Sequence, residues 1–165
     1  MTSWKTDIAL RPAVEELCKS FTPMANEHRV MLEMQCETLC VHMSQKHVEQ
    51  LIGNLISNAI KYNHEGGTVD VLIRRQENLL VITVEDSGIG ISKEDEKHIF
   101  ERFYRVDKGR SRKIGGTGLG LSIVKHIARY YHGKIDLFSR ENIGTTITIT
   151  LPDVIVDESS ADQAA

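Results

Sequence analysis

The sequence predicts an α+β fold, a two-layer α/β sandwich in which a mixed, mostly antiparallel sheet of about five strands carries three main helices on one face. Three observations predict it. A chain of 165 residues suits one core and is short for two. Three segments space their apolar residues three and four apart, as amphipathic helices do, whereas the segments between them alternate or run apolar over strand lengths. The strand-like runs are joined by short polar turns, and helices and hairpins follow one another in the order a sheet with one covered face requires.

The first helix is read over Pro12 to Glu27, where apolar side chains fall at 14, 17, 18, 21, 24 and 25 and a proline stands near the first turn. Val30 to Met34 alternates and Leu39 to Val41 is short and apolar, giving two strands that flank a turn. Gln45 to Tyr62 is the second helix, with Ser44 as its N-cap and Asn63 to Gly67 as its end. Val69 to Arg74 and Leu79 to Glu85 are strands separated by "RQEN", a hairpin. A glycine-rich loop, "DSGIGIS", comes next. Ser92 to Phe103 reads as a short helix capped by Ser92, with Asp95 where a capping-box acid belongs. Tyr104 to Gly116 is basic and aperiodic, a mobile loop. Leu119 to Tyr131 is the third main helix, stopped at His132-Gly133, and strands Lys134 to Ser139 and Thr145 to Leu151 turn at Asn142 to Gly144. The tail 153–165 is acidic and rich in small residues, and is expected to be disordered.

Composition narrows the function. Hydrophobic residues make up 41% and charged residues 26%, with a net charge of −3, so nothing favours nucleic acid or an anionic membrane. Apolar runs such as Leu79 to Val84 fall far short of the roughly 20 residues of a membrane span. Cys18, Cys36 and Cys40 lack the partners of a zinc site and read as reduced thiols, and the histidines at 28, 42, 47, 64, 98, 126 and 132 follow no metal-ligand spacing.

Three stretches can carry chemistry. In "NLISNAIKYN", Asn54, Asn58 and Lys61 fall within about 60° of one another on a helix, away from the face formed by Val48, Ile52, Leu55 and Ala59. Two carboxamides and a lysine on one face can hold a hard cation or phosphate oxygens, or can simply be a solvated face. In "VEDSGIGIS", a strand ends at Asp86, and Gly88 and Gly90 let the backbone approach something flat; the carboxylate could accept from an exocyclic amine, or the segment could be a plain turn. In "GGTGLGLSIVK", glycines lead into a helix N-terminus, which favours anions, although the spacing fits neither a Walker loop nor G-x-G-x-x-G and a hinge role stays open.

Taken in order, the asparagine helix, the Asp-x-Gly-x-Gly turn, the paired phenylalanines of "IFERFYR" and the glycine stretch resemble the catalytic ATP-binding domain of bacterial two-component sensor histidine kinases. These belong to the superfamily that includes gyrase, heat-shock chaperone and mismatch-repair ATPases. The resemblance runs from about Ala9 to Pro152 and implies the Bergerat ATP-binding sandwich, with ATP and Mg2+ as ligands. It also implies roles. Asn58 resembles the magnesium-binding asparagine, Lys61 a phosphate contact, and Tyr62 a neighbour of the adenine. Asp86 resembles the adenine-reading carboxylate, with Gly88, Ile89 and Gly90 shaping its pocket. Phe100 and Phe103 match the box that anchors the lid, and Arg105 a lid cation. Gly116, Thr117, Gly118, Leu119 and Gly120 resemble the phosphate cradle, and Thr145 a threonine behind the adenine.

Asn54 bears on the reaction. Chaperone and gyrase relatives carry a glutamate one turn before the magnesium asparagine, as general base for water; an amide cannot take that proton at neutral pH. The resemblance therefore implies phosphoryl transfer to a histidine, with Asn54, Lys61 and Arg105 acting on the phosphates. No histidine here has the expected acceptor context, which implies that residues 1–8 are the remnant of a linker to an absent dimerisation and phosphoacceptor domain. The same reading implies a monomeric cytoplasmic domain of a membrane receptor, its own dimerisation domain and a response regulator as partners, and no nucleic acid. A serine kinase of the anti-sigma-factor type and a non-catalytic nucleotide-dependent interaction module are the alternatives.

Overall fold

The computed structural model describes residues 4–102, 104 and 120–157. Strand β1 (Lys5–Ala9) leads straight into helix α1 (Leu10–Glu27), followed by β2 (Met31–Cys36), β3 (Cys40–Ser44) and α2 (Gln45–Lys61). The hairpin β4 (Thr68–Gln76) and β5 (Leu79–Asp86) precedes a single helical turn, α3 (Lys93–Glu96). Helix α4 (Gly120–Tyr130), β6 (Lys134–Arg140), β7 (Gly144–Pro152) and the two-residue β8 (Ile155–Val156) complete the order.

The main sheet runs β2-β4-β5-β7-β6, with β2 parallel to β4 and every other pair antiparallel. This is the expected mixed, mostly antiparallel sheet. Alternation within each strand decides which side is dry: Val69, Val71 and Ile73 of β4 are buried with Ile82 and Val84 of β5 and Ile147, Ile149 and Leu151 of β7. Against them pack Val14 and Cys18 of α1, Leu51, Ile52, Leu55, Ile56 and Ile60 of α2, and Val124, Ile127 and Ala128 of α4. The other side of the sheet is mostly polar or exposed, with Thr146, Thr148 and Thr150 along β7, although Val81 of β5 is buried there.

Register carries the site. One inward row crosses the sheet as Leu32, Val69, Asp86, Thr145 and Ser139, and it turns from apolar to polar halfway. The next two rows, through Val84 and Ile82, are apolar throughout. The polar half of that first row is where the sandwich opens.

Several expectations need correction. Lys5–Ala9, of which residues 5–8 were expected within a linker remnant, is a strand paired antiparallel with β3, and β3 in turn pairs with β8, so a second, three-stranded sheet stands beside the main one. Isolated from their partner these strands are too short to announce themselves; only pairing makes them strands. The tail expected to be disordered from 153 is structured through Asp157: Val154 is buried, and Arg75 holds the Asp157 carboxylate at 3.0 Å. The helix expected over Ser92 to Phe103 is one turn long. Its cap is as expected, since Ser92 Oγ accepts from Asp95 N–H at 3.1 Å and donates to the Asp95 carboxylate at 2.9 Å, but the chain then proceeds through separate turns.

Candidate functional site

Helix α2 starts where Ser44 Oγ accepts the His47 N–H at 3.3 Å. From that start the 3.6-residue period buries Val48, Ile52, Leu55 and Ala59 and leaves Asn54, Asn58 and Lys61 half-buried on the adjoining face. These three side chains line one wall of a cavity, together with Ser57 and Tyr62. Opposite stand Asp86, Ile89, Gly90 and Ile91 from the end of β5 and its turn, and Thr145 from β7. Ile99, Tyr104, Gly120 and Leu121 close the remaining side.

The turn after Asp86 is wedged between two backbones. Ile89 N–H donates to the Tyr62 carbonyl at 3.0 Å, and Asn142 N–H donates to the Ile89 carbonyl at 2.6 Å. A Cβ at Gly88 would stand 2.4 Å from the Tyr62 carbonyl oxygen. Gly90, at φ +70°, would put one 2.0 Å from the Arg140 carbonyl oxygen. Both positions demand glycine because main chain, which cannot step aside, fills the space.

Asp86 lies at the base of this wedge. Its carboxylate accepts the Gly88 N–H at 2.9 Å and a second hydrogen bond from the Thr145 backbone. Burial outweighs these two donors and pushes the carboxyl up from its ordinary 3.8 to about 6. An ionised group held in so dry a position is costly without a ligand, and such groups concentrate at functional sites.

At the other end, Asn54 Nδ2 donates to the Gln50 carbonyl at 2.6 Å, while its Oδ1 faces Gly120 closely enough that a Cβ there would lie 3.1 Å away. The first residue of α4 therefore sits directly over the amide that sequence reasoning singled out. A helix N-terminus and an amide-lysine face at one end, with a half-buried carboxylate and apolar walls at the other, make a cavity suited to a flat, amine-bearing group joined to an anion.

Of the expected site residues, Asn54, Asn58, Lys61, Tyr62, Asp86, Ile89, Gly90, Gly120 and Thr145 line this one cavity, with Gly88 directly behind Asp86. Phe103, Arg105, Gly116, Thr117, Gly118 and Leu119 lie outside the described residues. Ile99, next to the expected lid anchor Phe100, lines the cavity. Sequence reasoning did not name Ser57, Ile91, Ile99, Tyr104 or Leu121. The alternation of "GIGIS" could have pointed to Ile91; the others reach the cavity only through tertiary packing.

A fold and cavity of this kind define a nucleotide-binding sandwich domain. Residues 43–155 match the family model of the histidine kinase-, DNA gyrase B- and HSP90-like ATPases, and the chain belongs to that family. It is 48% identical over 128 residues to the sensor histidine kinase WalK of Bacillus subtilis, covering 76% of this chain and 21% of that protein. It is 48% identical over 112 residues to the sensor-like histidine kinase SenX3 of Mycolicibacterium smegmatis (68% and 29%), and 39% identical over 145 residues to the sensor histidine kinase RppB of Synechocystis (87% and 32%). The chain thus spans between 21% and 32% of the length of these relatives. The crystallised catalytic domain of histidine kinase ThkA superposes with a TM-score of 0.78 at 26% identity, covering 90% of this chain and 95% of that one. Within the family, then, the likeness is to the catalytic domain of sensor histidine kinases. No helix among the described residues is long and apolar enough to cross a membrane.

Proposed function

We propose that this domain binds Mg-ATP and donates its γ-phosphate to a histidine on a separate dimerisation and phosphoacceptor domain of a sensor histidine kinase, from which a response regulator then receives it. Asp86 accepts from the adenine amino group, Ile89, Ile91, Ile99 and Leu121 enclose the ring, and Tyr62 borders it. Lys61 meets the phosphates, as does the N-terminus of α4 at Gly120. Asn58 supplies one amide oxygen to magnesium, an ion that keeps several waters and is held by few protein ligands plus substrate phosphates. The residues present fit such a group: Asn58 offers an amide oxygen to a hard cation, and Lys61, on the same cavity wall, offers positive charge to phosphate oxygens. When bound, the ion neutralises phosphate charge.

The observation that carries the transfer reading is Asn54. It stands one helical turn before Asn58, faces Gly120, and has its nitrogen tied to the Gln50 carbonyl. Its remaining oxygen cannot serve as a general base for water, but it can orient a group by accepting a hydrogen bond. Lys61 and, from the family resemblance, Arg105 add charge where the leaving phosphate needs it. We further infer that the domain connects to its acceptor domain from the β1 end, that the isolated domain is a monomer, and that it works on the cytoplasmic side of a membrane receptor.

The test is radiolabelled transfer. The isolated chain should bind Mg-ATP without labelling itself, and the full-length kinase should label its histidine. In the full-length protein Asn54→Ala should lower transfer about a hundredfold while changing nucleotide affinity less than about threefold. Equal losses in transfer and affinity would count against an orienting role.

A further inference from the structure

The polar row that ends the inner face of the sheet contains a hydroxyl the proposed mechanism does not use. Register sets Ser139 of β6 opposite Thr145 of β7, and Thr145 opposite Asp86 of β5. Ser139 Oγ lies 2.8 Å from the Ile91 nitrogen, 3.1 Å from the Gly144 carbonyl oxygen and 2.8 Å from Thr145 Oγ1.

A hydroxyl has one proton and two lone pairs. The Ile91 amide can only donate, and the Gly144 carbonyl can only accept. One assignment satisfies all three contacts: Ser139 accepts from Ile91, gives its own proton to Gly144, and accepts the proton of Thr145. What Thr145 Oγ1 then keeps is lone-pair character. Thr145 is 8% exposed and lines the cavity beside Asp86, so a mismatched partner there would be buried with it. Asp86, when ionised, also offers only acceptors.

We propose that Ser139 is a specificity-determining residue: by holding the Thr145 proton it makes the base-facing end of the cavity an all-acceptor surface, which takes a purine bearing a 6-amino group and rejects one bearing a 6-oxo group. An amino group donates to either acceptor, whereas a 6-oxo oxygen meets lone pairs at both. Ser139 also ties the turn at Ile91 to the β6–β7 connection, but a tether alone would weaken all bases alike. The inference rests on Asp86 reading the base, as proposed above.

Calorimetric titration of this chain with Mg-ATP and with magnesium inosine triphosphate, which carries a 6-oxo group, separates the two roles. The wild type should prefer ATP. In Ser139→Ala the Thr145 proton is released and can donate to the 6-oxo oxygen, so the ratio of the two affinities should fall on the order of tenfold. Ser139→Thr, which keeps the hydroxyl, should hold the ratio near that of the wild type. Should the alanine variant lose its cooperative melt, Ser139→Cys, similar in size but a poor acceptor, carries the same expectation as alanine. Equal weakening of both nucleotides with an unchanged ratio would overturn the proposal. A wild type that binds both nucleotides equally would overturn the base assignment and this proposal with it, whereas the ratios in the variants test the proposal alone.

Discussion

At one end of the cavity Asp86 is held by backbone: a Gly88 N–H, a Thr145 N–H, and a turn pressed between the Tyr62 and Arg140 carbonyls. At the other end Asn54, Asn58 and Lys61 project from one face of α2, and their placement depends on helix period and a capped start. The first arrangement admits almost no substitution, because main chain fills the space a side chain would need. The second is made of side chains on one helix face. On the proposed assignment, recognition of the base is built into the fold, while the fate of the phosphate rests on side chains of one helix face. If Asn54 acts as proposed, one ligand pocket can serve different reaction types through a change at that residue.

This contrast can be broken by stability measurements. Gly90→Ala must place a Cβ against the Arg140 carbonyl at positive φ, and should cost about 2–4 kcal/mol in chemical denaturation. Asn58→Ala, at the phosphate end, should cost less than about 1 kcal/mol. Similar losses at the two positions would remove the distinction between a backbone-built and a side-chain-built end.

A smaller effect sharpens the same contrast, and its sign follows from Asp86. Folded, the carboxyl titrates at about 6 against an ordinary 3.8, so between those values the native state holds the extra proton. Stability without nucleotide therefore falls as pH rises through this window, and stays lowered above it. Asp86→Asn removes that penalty and should be more stable than wild type by about 2 kcal/mol at pH 7.5, with the advantage fading as the pH falls from about 6 and gone by about 4. A pH-independent difference between the two proteins would mean that burial does not perturb Asp86. A residue that costs stability where it sits is one that its ligand, not the fold, requires.

Much of the fold was legible because it rests on local signals. Ser44 and Ser92 cap helices as their position in the chain suggests, His132-Gly133 ends α4, and the alternation of β5 and β7 gives their buried face. β1 and β8 were not legible, since two short segments from opposite ends of the chain become strands only by pairing with β3. Asn54, Asn58, Asp86, Gly90 and Thr145, all singled out by their motifs, line one cavity. Ser139 stayed hidden for a different reason: a serine on an alternating strand looks like any other, and its meaning lies in three partners at 91, 144 and 145 that only register and turn geometry bring within reach.

The most direct measurement is calorimetric titration of Mg-ADP into the wild-type chain and Asp86→Asn at pH 7.5, with circular dichroism to establish that both are folded. A carboxylate that reads the adenine amino group predicts tight binding in the wild type and a loss of at least about a hundredfold in a variant that is equally or more stable, because the neutral amide surrenders a charge-assisted hydrogen bond in a buried site. Equal affinity in the two proteins would contradict the assignment of this end of the cavity to the base.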